Sequence, residues 1–503
     1  MSATPSKTII DRCMIGVDLG TTNLKAALFD ARGTQLASGE EALPMQREGR
    51  DRVEQDPDMW WKALKSVLSA LIQSSPNAKV AGIAICAQVG SHVFVDAEGK
   101  AVTKAWLWQD SRCQPVVAEM NARAASIDAD RLPPNFKIDN ASALARARWL
   151  QEHEPKLWGR VRYLLNPKDY LNLRLTGAIA TDGMSQYGLV YDDGSYFAGL
   201  DELVPGVVRI LPEIRDFRQP LGEVMPTGDP ALDAALAGAV VGVGNMDVYG
   251  NLFGSGADSD GFAIEVAGTC EIAGILSPLD QEPHGVVKFP PVDGLRLYAG
   301  PTKSGGSAVQ WFASVLGVSV PELMALAASG AEDADPLIFQ PYLEGERAPL
   351  WDDDVRGLFI GLTGRHTRAD MARAVIEGVA ITGRAVLEAA EESSGRRAAK
   401  VRLSGGGSQS DIACQIRADI LGRPVERLKV RNTGMLGAAL IAAIAAGTTS
   451  SISDAAARLV HVDRTFYPSE RTRARFETIV DIYRSLHPAL HQANTALARM
   501  RRI

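Results

Sequence analysis

A glycine-containing turn near the start of the chain carries residues that can bind an anion. The stretch "DLGTT", from Asp18 to Thr22, joins the β-rich runs "MIGVDLG" and "NLKAALFD". Gly20 lets backbone N–H groups converge on an anion, and the hydroxyls of Thr21 and Thr22 add donors. The carboxylate of Asp18 can hold a magnesium ion through its water shell. Taken alone, however, the pattern favours an ordinary hairpin turn.

The same chemistry returns in the second half of the chain. In "FAIEVAGTCEIAGIL" a turn with Gly268 and Thr269 again separates two apolar strands, and "LSGGGSQSD" places Gly405, Gly406 and Gly407 between a strand-like run and a helical one. Two facing hairpins of this kind would grip the phosphates of a nucleotide, and glycines allow a flat base or ribose to lie against the backbone. No GxxxxGK followed by Ser or Thr occurs, so a P-loop site is not indicated.

One acid stands in an otherwise small and apolar run, "NMDVYGNLFG". Asp247 could cap a helix that begins there, which is the favoured interpretation of the isolated sequence. It could also accept a proton from a hydroxyl group in a water-poor cleft. Partial burial among Val248, Tyr249 and Leu252 would raise its pKa somewhat and leave it ionised at neutral pH.

The elements that must position these residues follow an α/β pattern. Helical periodicity in "MWWKALKSVLSALIQ" and "TRADMARAVIEGVAITGRAVLEAAEESS" alternates with buried strands such as "VAGIAICAQ". A length of 503 residues exceeds what one core usually organises, and the segment "GSGADSDG" has the composition of a linker. We therefore expect two similarly built domains, over residues 1–255 and 256–503.

Composition narrows the function classes. The formal charge is −7 and basic runs are short, which argues against nucleic acid or an anionic membrane as partner. The five cysteines lack any CxxC pair, so neither a disulfide framework nor a zinc site is expected. The N-terminus has no apolar signal-peptide core, and "LGAALIAAIAAG" is too short to cross a bilayer. These features predict a cytoplasmic protein.

The order of the motifs resembles the FGGY carbohydrate kinases, the group that includes xylulokinase, gluconokinase and glycerol kinase. The resemblance runs through most of the chain, in the segments "GVDLGTTNLKAALFD", "VEQDPDMWW", "AWLWQDSR", "LLNPKDYLNLRLTG", "GVGNMDVYGNLFGSG", "VAGTCEI", "SGGSAVQWF", "YLEGERAPLWDDDVRGLFIGL" and "LSGGGSQSDIACQIRADILGRPVE". It implies an α/β fold of two actin-like (ribonuclease H-like) ATPase domains with an interdomain cleft. It also implies transfer of the γ-phosphoryl group of ATP to a hydroxyl of a small sugar or polyol.

The resemblance assigns roles to the residues above. Asp247 would be the general base, and Asp18 would organise Mg²⁺. The residues that would bind ATP are Gly20, Thr21, Thr22, Gly268, Thr269, Gly306, Gly405, Gly406 and Gly407. The residues that would contact the sugar are Gln88 and Asp247. Asn245 and Met246, just before Asp247, are expected as further sugar contacts, although they could instead merely fill the turn. A homodimer is compatible with the resemblance.

Two departures from the family pattern affect the substrate. Xylulokinase-like members carry a Gln-Met-His-Gly-like stretch where this chain reads "AQVGSH", so Gln88 is kept while Val89 and Gly90 replace Met and His. Asn245 and Met246 separate Gly244 from Asp247, whereas the family usually has Gly-Asp directly. We expect a pentulose such as xylulose as the substrate. The alternatives are a polyol kinase of the glycerol or erythritol kind and an actin-like ATPase that is not a kinase.

Overall fold

The computed structural model describes residues 10–133, 136–330 and 335–501. They form two compact units. Unit 1 consists of the residues up to Gly256 together with Thr433–Val460, and unit 2 consists of Ala257–Asn432 together with the residues from His461 onward.

The elements of the first half of the chain alternate between strands and helices. The strands are β1 (Ile10–Leu19), β2 (Asn23–Phe29), β3 (Gln35–Ala42), β4 (Gln46–Glu48), β5 (Arg52–Gln55), β6 (Ala78–Ala87), β7 (Val93–Val95), β8 (Ala105–Trp106), β9 (Tyr163–Leu165), β10 (Pro220–Glu223), β11 (Val240–Gly242) and β12 (Asn245–Met246). The helices are α1 (Pro57–Ser74), α2 (Gln114–Ala124), α3 (Ala143–His153), α4 (Pro155–Trp158), α5 (Pro167–Thr176), α6 (Leu200–Leu203), α7 (Pro230–Ala235) and α8 (Asp247–Gly254).

The second half has longer helices. Its strands are β13 (Ala263–Ala267), β14 (Glu271–Ser277), β15 (Val287–Lys288), β16 (Arg296–Pro301), β17 (Ile338–Gln340), β18 (Leu358–Ile360), β19 (Val401–Ser404), β20 (Val425–Leu428) and β21 (Val462–Phe466). Its helices are α9 (Gly306–Leu316), α10 (Val320–Ser329), α11 (Arg368–Ser394), α12 (Asp411–Leu421), α13 (Thr433–Ala445), α14 (Ile452–Leu459) and α15 (Glu470–Arg501).

The large sheets of the two units share one plan. In unit 1 the strand order is β10-β11-β6-β1-β2-β3, with β12 also paired to β6. In unit 2 it is β15-β16-β14-β13-β19-β20-β21. In each unit a hairpin, β1–β2 or β13–β14, is antiparallel, and its first strand pairs in parallel with a strand that comes later in the chain, β6 or β19. The prediction of two similarly built α/β halves is confirmed.

Local sequence signals set the ends of the main helices. Helix α1 begins after Asp56, whose side chain accepts a hydrogen bond from the backbone N–H of Asp58, and it has proline in its first turn. Helix α11 begins with a capping box formed by Thr367 and Asp370, and it ends at Gly395 in the left-handed conformation. These caps satisfy backbone groups that a helix end would otherwise leave unpaired.

Helix α13 belongs to unit 1 although it follows most of unit 2 in sequence. Its backbone lies so close to β1 and α8 that only glycine fits at the contacts. A Cβ atom at Gly16 would lie 1.8 Å from the carbonyl oxygen of Met435, and one at Gly437 would lie 1.8 Å from that of Gly250. The domain division predicted from the sequence, with 256–503 as one domain, therefore differs from the structure at Thr433–Val460, because contacts distant in sequence hold this segment.

Among the described residues, no single helix is both long and apolar enough to span a membrane. Helices α9 and α10 reach the necessary length and apolar composition only when they are counted together, and the pair is bent by 87°.

We expect Gly437→Ala to destabilise unit 1 by about 3 kcal/mol or more, because the new methyl group would have to displace the backbone of α8. Urea unfolding followed by tryptophan fluorescence measures this, since all tryptophans except Trp311 and Trp351 lie in unit 1. The matched control is Gly159→Ala: Gly159 has φ −59°, and the nearest atoms to an added Cβ are 3.6 Å away. An unchanged unfolding midpoint for Gly437→Ala would contradict the close packing of these helices.

Candidate active site

The first glycine-threonine turn of unit 1 lies between β1 and β2 and is held by buried polar side chains. The hydroxyl of Thr21 donates a hydrogen bond to Oε1 of Gln88 at 2.9 Å and accepts one from Nε1 of Trp108 at 3.0 Å. Gln88 Nε2 donates to the carbonyl of Gly20 at 3.3 Å, and Gln55 Nε2 donates to the carbonyl of Thr21 at 2.8 Å. The turn is therefore fixed by its own chain before any ligand is bound.

Both side-chain amide atoms of Gln88 form hydrogen bonds within the protein. Its side chain is 3% exposed, and its Oε1 also accepts a hydrogen bond from Ser91 Oγ at 3.1 Å. The structure thus gives Gln88 a clear part in holding the turn, while the predicted contact with the sugar stays a prediction. Next to it, Gly90 has a positive φ of 74°, and an added Cβ would lie 3.3 Å from both Trp108 Cβ and Ala141 Cβ. A larger residue at position 90 would therefore be strained and crowded.

His92 has a structural environment. It is buried, and its Nδ1 lies 2.9 Å from a guanidinium nitrogen of the fully buried Arg146. Burial and the neighbouring cation hold the pKa of His92 well below its usual range. A second Arg146 nitrogen donates to the carbonyl of Leu107 at 2.6 Å. These bonds tie the loop that follows β6 to the segment that carries Trp108.

Asp18 lies near the carboxyl end of β1, one residue before its last residue, Leu19. It pairs with Lys25 across the hairpin and with Cys86 on β6. Loss of water around the carboxyl group raises its pKa to about 6, and the positive charge of Lys25 partly opposes the rise. Asp18 keeps part of its surface exposed, so an ion could still reach it.

Asp247 is the first residue of α8, and the residue before the helix is Met246. The Asp247 Oδ1 atom accepts a hydrogen bond from the backbone N–H of Val248 at 2.8 Å. The carboxylate therefore sits at the helix start, one position later than a true N-cap, and Asn251 Nδ2 holds its backbone carbonyl at 2.9 Å. A partly exposed carboxyl group at the amino end of a helix is well placed to meet a substrate hydroxyl.

The pKa of Asp247 is raised to about 7, mainly by loss of water and further by the negative charge of Asp18. Hydrogen bonding to the backbone N–H of Val248 opposes the rise. This is a larger increase than the sequence predicts, since the sequence predicts a carboxylate that stays ionised at neutral pH. A carboxyl group with such a pKa can both take up and release a proton near neutral pH.

The residues just before Asp247 lie inside unit 1. Asn245 is 0% exposed and Met246 is 2% exposed, because β12 pairs with the end of β6. The Oδ1 atom of Asn245 accepts a hydrogen bond from the N–H of Met246, and its Nδ2 atom has no hydrogen-bond partner. Gly244, with a φ of 77°, allows this turn, because an added Cβ would lie 2.1 Å from the carbonyl oxygen of Ile85. Sugar contacts by Asn245 and Met246 stay a prediction.

The second glycine-threonine turn lies in unit 2, between β13 and β14, and the start of α9 is bonded to it. The N–H of Gly306 donates to the carbonyl of Gly268 at 2.9 Å, and the N–H of Ser307 donates to that of Thr269 at 3.0 Å. A Cβ at Gly306 would lie 2.7 Å from the carbonyl oxygen of Gly268. Two of the segments expected to bind the nucleotide are thus brought together.

The third glycine segment joins them. Residues Gly405–Gly407 follow β19 and lead through a 3-10 turn, Gly406–Gln409, into α12. A Cβ at Gly405 would lie 2.6 Å from the carbonyl oxygen of Ala267, and one at Gly407 would lie 2.7 Å from Ala267 Cβ. The three predicted segments of unit 2 therefore converge around the end of β13. Glycine backbone of this kind can receive phosphate, ribose or base without obstruction by side chains.

The side chains of unit 1 fit a magnesium ion carried by a nucleotide. Asp18 and Asp247 are close enough for the charge of Asp18 to raise the pKa of Asp247, and a divalent cation would offset that repulsion. Within the described residues, no group of three or more His, Cys, Asp or Glu side chains could hold a metal ion. Magnesium commonly takes only one or two carboxylates and fills its other positions with water and phosphate oxygens. The assignment of Mg²⁺ to Asp18 stays a prediction.

Two features of the site do not follow from the motifs above. The indole N–H of Trp108 donates to the hydroxyl of Thr21 in the first glycine-threonine turn. In the same segment, both oxygens of Asp110 accept hydrogen bonds from Arg112. Lys168 is 1% exposed and is paired with Asp169 and Asp182. The sequence signal that could have indicated this buried ion pair is the adjacent Lys and Asp in "NPKDY", inside a run of core residues.

Comparison with known proteins supports the family resemblance described in the sequence analysis. Two domain models match, the N-terminal domain of the FGGY family of carbohydrate kinases over residues 13–188 and the C-terminal domain over residues 263–446. The xylulose kinase of Staphylococcus epidermidis is 30% identical over 97% of this chain and 99% of its own length. The solved xylulose kinase of Rhodospirillum rubrum is 26% identical with a TM-score of 0.81, and covers 96% of this chain and 100% of its own.

A further solved structure shares the fold at lower identity. The gluconate kinase of Lactobacillus acidophilus has a TM-score of 0.84 and 23% identity, over 97% of this chain and 99% of its own. The predicted fold class, an α/β fold of two actin-like ATPase domains, is confirmed. The chain belongs to the FGGY family of carbohydrate kinases, and it is a phosphotransferase with an alcohol group as acceptor.

Proposed function

We propose that this sugar kinase transfers the γ-phosphoryl group of ATP to a hydroxyl of a pentulose such as xylulose, with Asp247 as the general base. The observation that carries the proposal is the position of Asp247, partly exposed at the start of α8 with a pKa near 7 and close to Asp18. Such a carboxylate can accept the proton of a hydroxyl as that oxygen attacks phosphorus.

The remaining roles follow from the chemistry of phosphoryl transfer, which asks a protein mainly for alignment and charge neutralisation. In unit 2, the segments around Gly268, Gly306 and Gly405–Gly407 bind the nucleotide through backbone groups. In unit 1, the hydroxyl of Thr22 in the turn at Gly20–Thr22 offers a further donor, whereas the hydroxyl of Thr21 already donates to Gln88. Asp18 orients Mg²⁺, which when bound neutralises phosphate charge.

The substrate proposal rests on the relatives and on the surroundings of Gly90. The xylulose kinases cited above share about a third of this sequence or less, so individual contacts can differ. Gly90 places no side chain between Trp108 and Ala141, and Trp108 is partly exposed. A partly exposed indole suits the C–H groups of a sugar, and Gln88, Asn245 and Met246 are proposed as further sugar contacts.

We expect Asp247→Asn to reduce kcat by about 10² or more, because an amide cannot accept the proton, while the Kd for MgATP stays within about threefold of wild type. The matched control is Asp229→Asn, which alters a true helix cap in unit 1, since Asp229 accepts from the N–H groups of Ala231 and Leu232. That variant should keep near-normal turnover. Near-normal phosphorylation by Asp247→Asn would exclude Asp247 as the base.

The thermal stability of Asp247→Asn shows whether a loss of activity comes from the missing base or from unfolding. The pKa of Asp247 is raised in the folded chain, so its contribution to stability is present below about pH 4 and is lost as pH rises through about 7. The uncharged Asn variant avoids that loss. We therefore expect Asp247→Asn to melt at or above the wild-type temperature at pH 8, in a thermal unfolding scan. A much lower melting temperature would show that the carboxylate has a structural role.

The pH profile tests the protonation state of the base directly. Since only ionised Asp247 can accept a proton, kcat/KM for the sugar should fall by up to about tenfold for each pH unit below the pKa of Asp247 and level off above it. With MgATP bound this pKa should lie at or below about 7, because Mg²⁺ offsets the charge of Asp18. Initial rates between pH 5.5 and 9 at saturating MgATP provide the measurement, and a flat profile across that whole range would argue against Asp247 as the base.

A coupled ADP-release screen against pentuloses, hexuloses, aldonates and C3 to C5 polyols identifies the acceptor. We expect kcat/KM for xylulose to exceed that for glycerol or erythritol by about tenfold or more, because a site built for a keto sugar leaves polar groups unpaired with a smaller polyol. Asp247→Asn in the same screen gives the background. A preference for glycerol or erythritol would replace the pentulose proposal with a polyol kinase.

A further inference from the structure

A buried charged cluster lies directly beneath the second glycine-threonine turn. Arg417 on α12 donates from Nε to Glu265 Oε1 at 2.6 Å, and its Nη2 donates to Oε1 of Glu271. These three side chains, which we call the Arg417 cluster, are 2%, 1% and 3% exposed for Glu265, Glu271 and Arg417. The cluster joins three elements, α12, β13 and β14, at the point where the turn begins and ends.

The charges of the Arg417 cluster do not balance when all three groups are ionised. Two buried carboxylates would face one buried guanidinium, leaving one negative charge unpaired. An unpaired buried charge is costly, so the cluster is best satisfied when one carboxyl group carries a proton. The Oε2 atom of Glu271 has no hydrogen-bond partner, which leaves it as the oxygen able to hold that proton.

Contacts of Glu271 connect the Arg417 cluster to the nucleotide segments. The N–H of Glu271 donates to Thr302 Oγ1 at 2.9 Å, and its carbonyl accepts from the N–H of Thr302 at 2.8 Å. A Cβ at Gly305 would lie 2.8 Å from Glu271 Cγ, and one at Gly407 would lie 3.6 Å from Arg417 Nη2. The same cluster therefore supports the turn, the start of α9 and the third glycine segment.

We propose that Arg417, Glu265 and Glu271 are positioning residues for the nucleotide, and that the turn binds MgATP when the glutamate pair holds one proton. Loss of that proton places an unpaired negative charge under the segments that receive phosphate, which weakens binding by repulsion and by shifting the turn. The inference rests on the proposed function, because it takes the Gly268–Thr269 turn as the phosphate site.

The surroundings of Glu271 support a proton held near neutral pH. Burial raises the pKa of Glu271 to about 8, the charge of Arg417 opposes the rise, and Glu265 and Glu346 add to it. Cys270 precedes Glu271 in the turn, and loss of water around its thiol raises the pKa of that group as well. Helix α11 faces the carboxylates with Gly383, where an added Cβ would lie 3.1 Å from Glu265 Oε1.

The test is the Kd of MgATP for the full chain at pH 7 and pH 9, measured by isothermal titration calorimetry. ATP phosphates are already ionised above pH 7, so the nucleotide adds little pH dependence of its own. For wild type we expect Kd to rise about tenfold from pH 7 to pH 9, as a proton held with a pKa near 8 is lost. In Glu271→Gln the Kd should change by less than about twofold, because no charge can appear there.

Glu265→Gln provides a second, independent variant. It leaves one carboxylate for one guanidinium, so Glu271 can stay ionised in a neutral cluster, and its Kd should also be nearly independent of pH. It carries the test if Glu271→Gln does not fold. The matched control is Glu377→Gln, which removes a buried glutamate paired with Arg373 on α11 instead of with the turn. That variant should keep the wild-type rise.

The outcomes are distinct. A wild-type Kd that does not change with pH overturns the positioning role of the Arg417 cluster and leaves the proposed kinase function intact. A rise in Kd from pH 7 to pH 9 that persists in both Glu271→Gln and Glu265→Gln also overturns the positioning role. If wild type binds no MgATP at pH 7, the proposed nucleotide site itself fails, and the inference fails with it.

Discussion

The close backbone contact between α13 and its neighbours in unit 1 is the constraint on which the placement of both aspartates depends. Asp18 stands near the end of β1, and Asp247 stands at the start of α8. Both elements touch α13 at positions where its backbone leaves no room for a side chain, Gly16 on the strand and Gly254 on the helix, and Gly437 of α13 lies against the carbonyl of Gly250. Glycine thus sets the distance between strand and helix, and the two carboxylates follow from it.

The buried carboxyl groups have different surroundings in the two units. In unit 1, Asp18 and Asp247 lie close together, and their pKa values rise although Lys25 opposes the rise at Asp18 and the N–H of Val248 opposes it at Asp247. In unit 2, Glu265 and Glu271 share one arginine that bonds to both. The first arrangement keeps carboxylates available to a cation and a hydroxyl, whereas the second uses them to hold the backbone in place.

Much of the fold could be predicted from the sequence, because its signals are local. The hairpins at "DLGTT" and "AGTCEI", the βα turn at "LSGGGSQ" and the helical runs all appear where the pattern placed them. What could not be predicted depends on residues far apart in the chain. The return of Thr433–Val460 to unit 1 is one case, and the bonds from Arg417 to acids about 150 residues earlier are another. Periodicity and turn chemistry carry no information about such pairs.

The first turn has a consequence for the energetics of ligand binding. The hydroxyl of Thr21 already donates to Gln88 and accepts from Trp108, and the backbone carbonyl of Thr21 accepts from Gln55. The conformational entropy that a flexible loop would lose on binding is therefore lost during folding instead. A ligand that arrives at this turn meets a backbone that is already ordered, so its affinity does not have to offset the ordering of a loop.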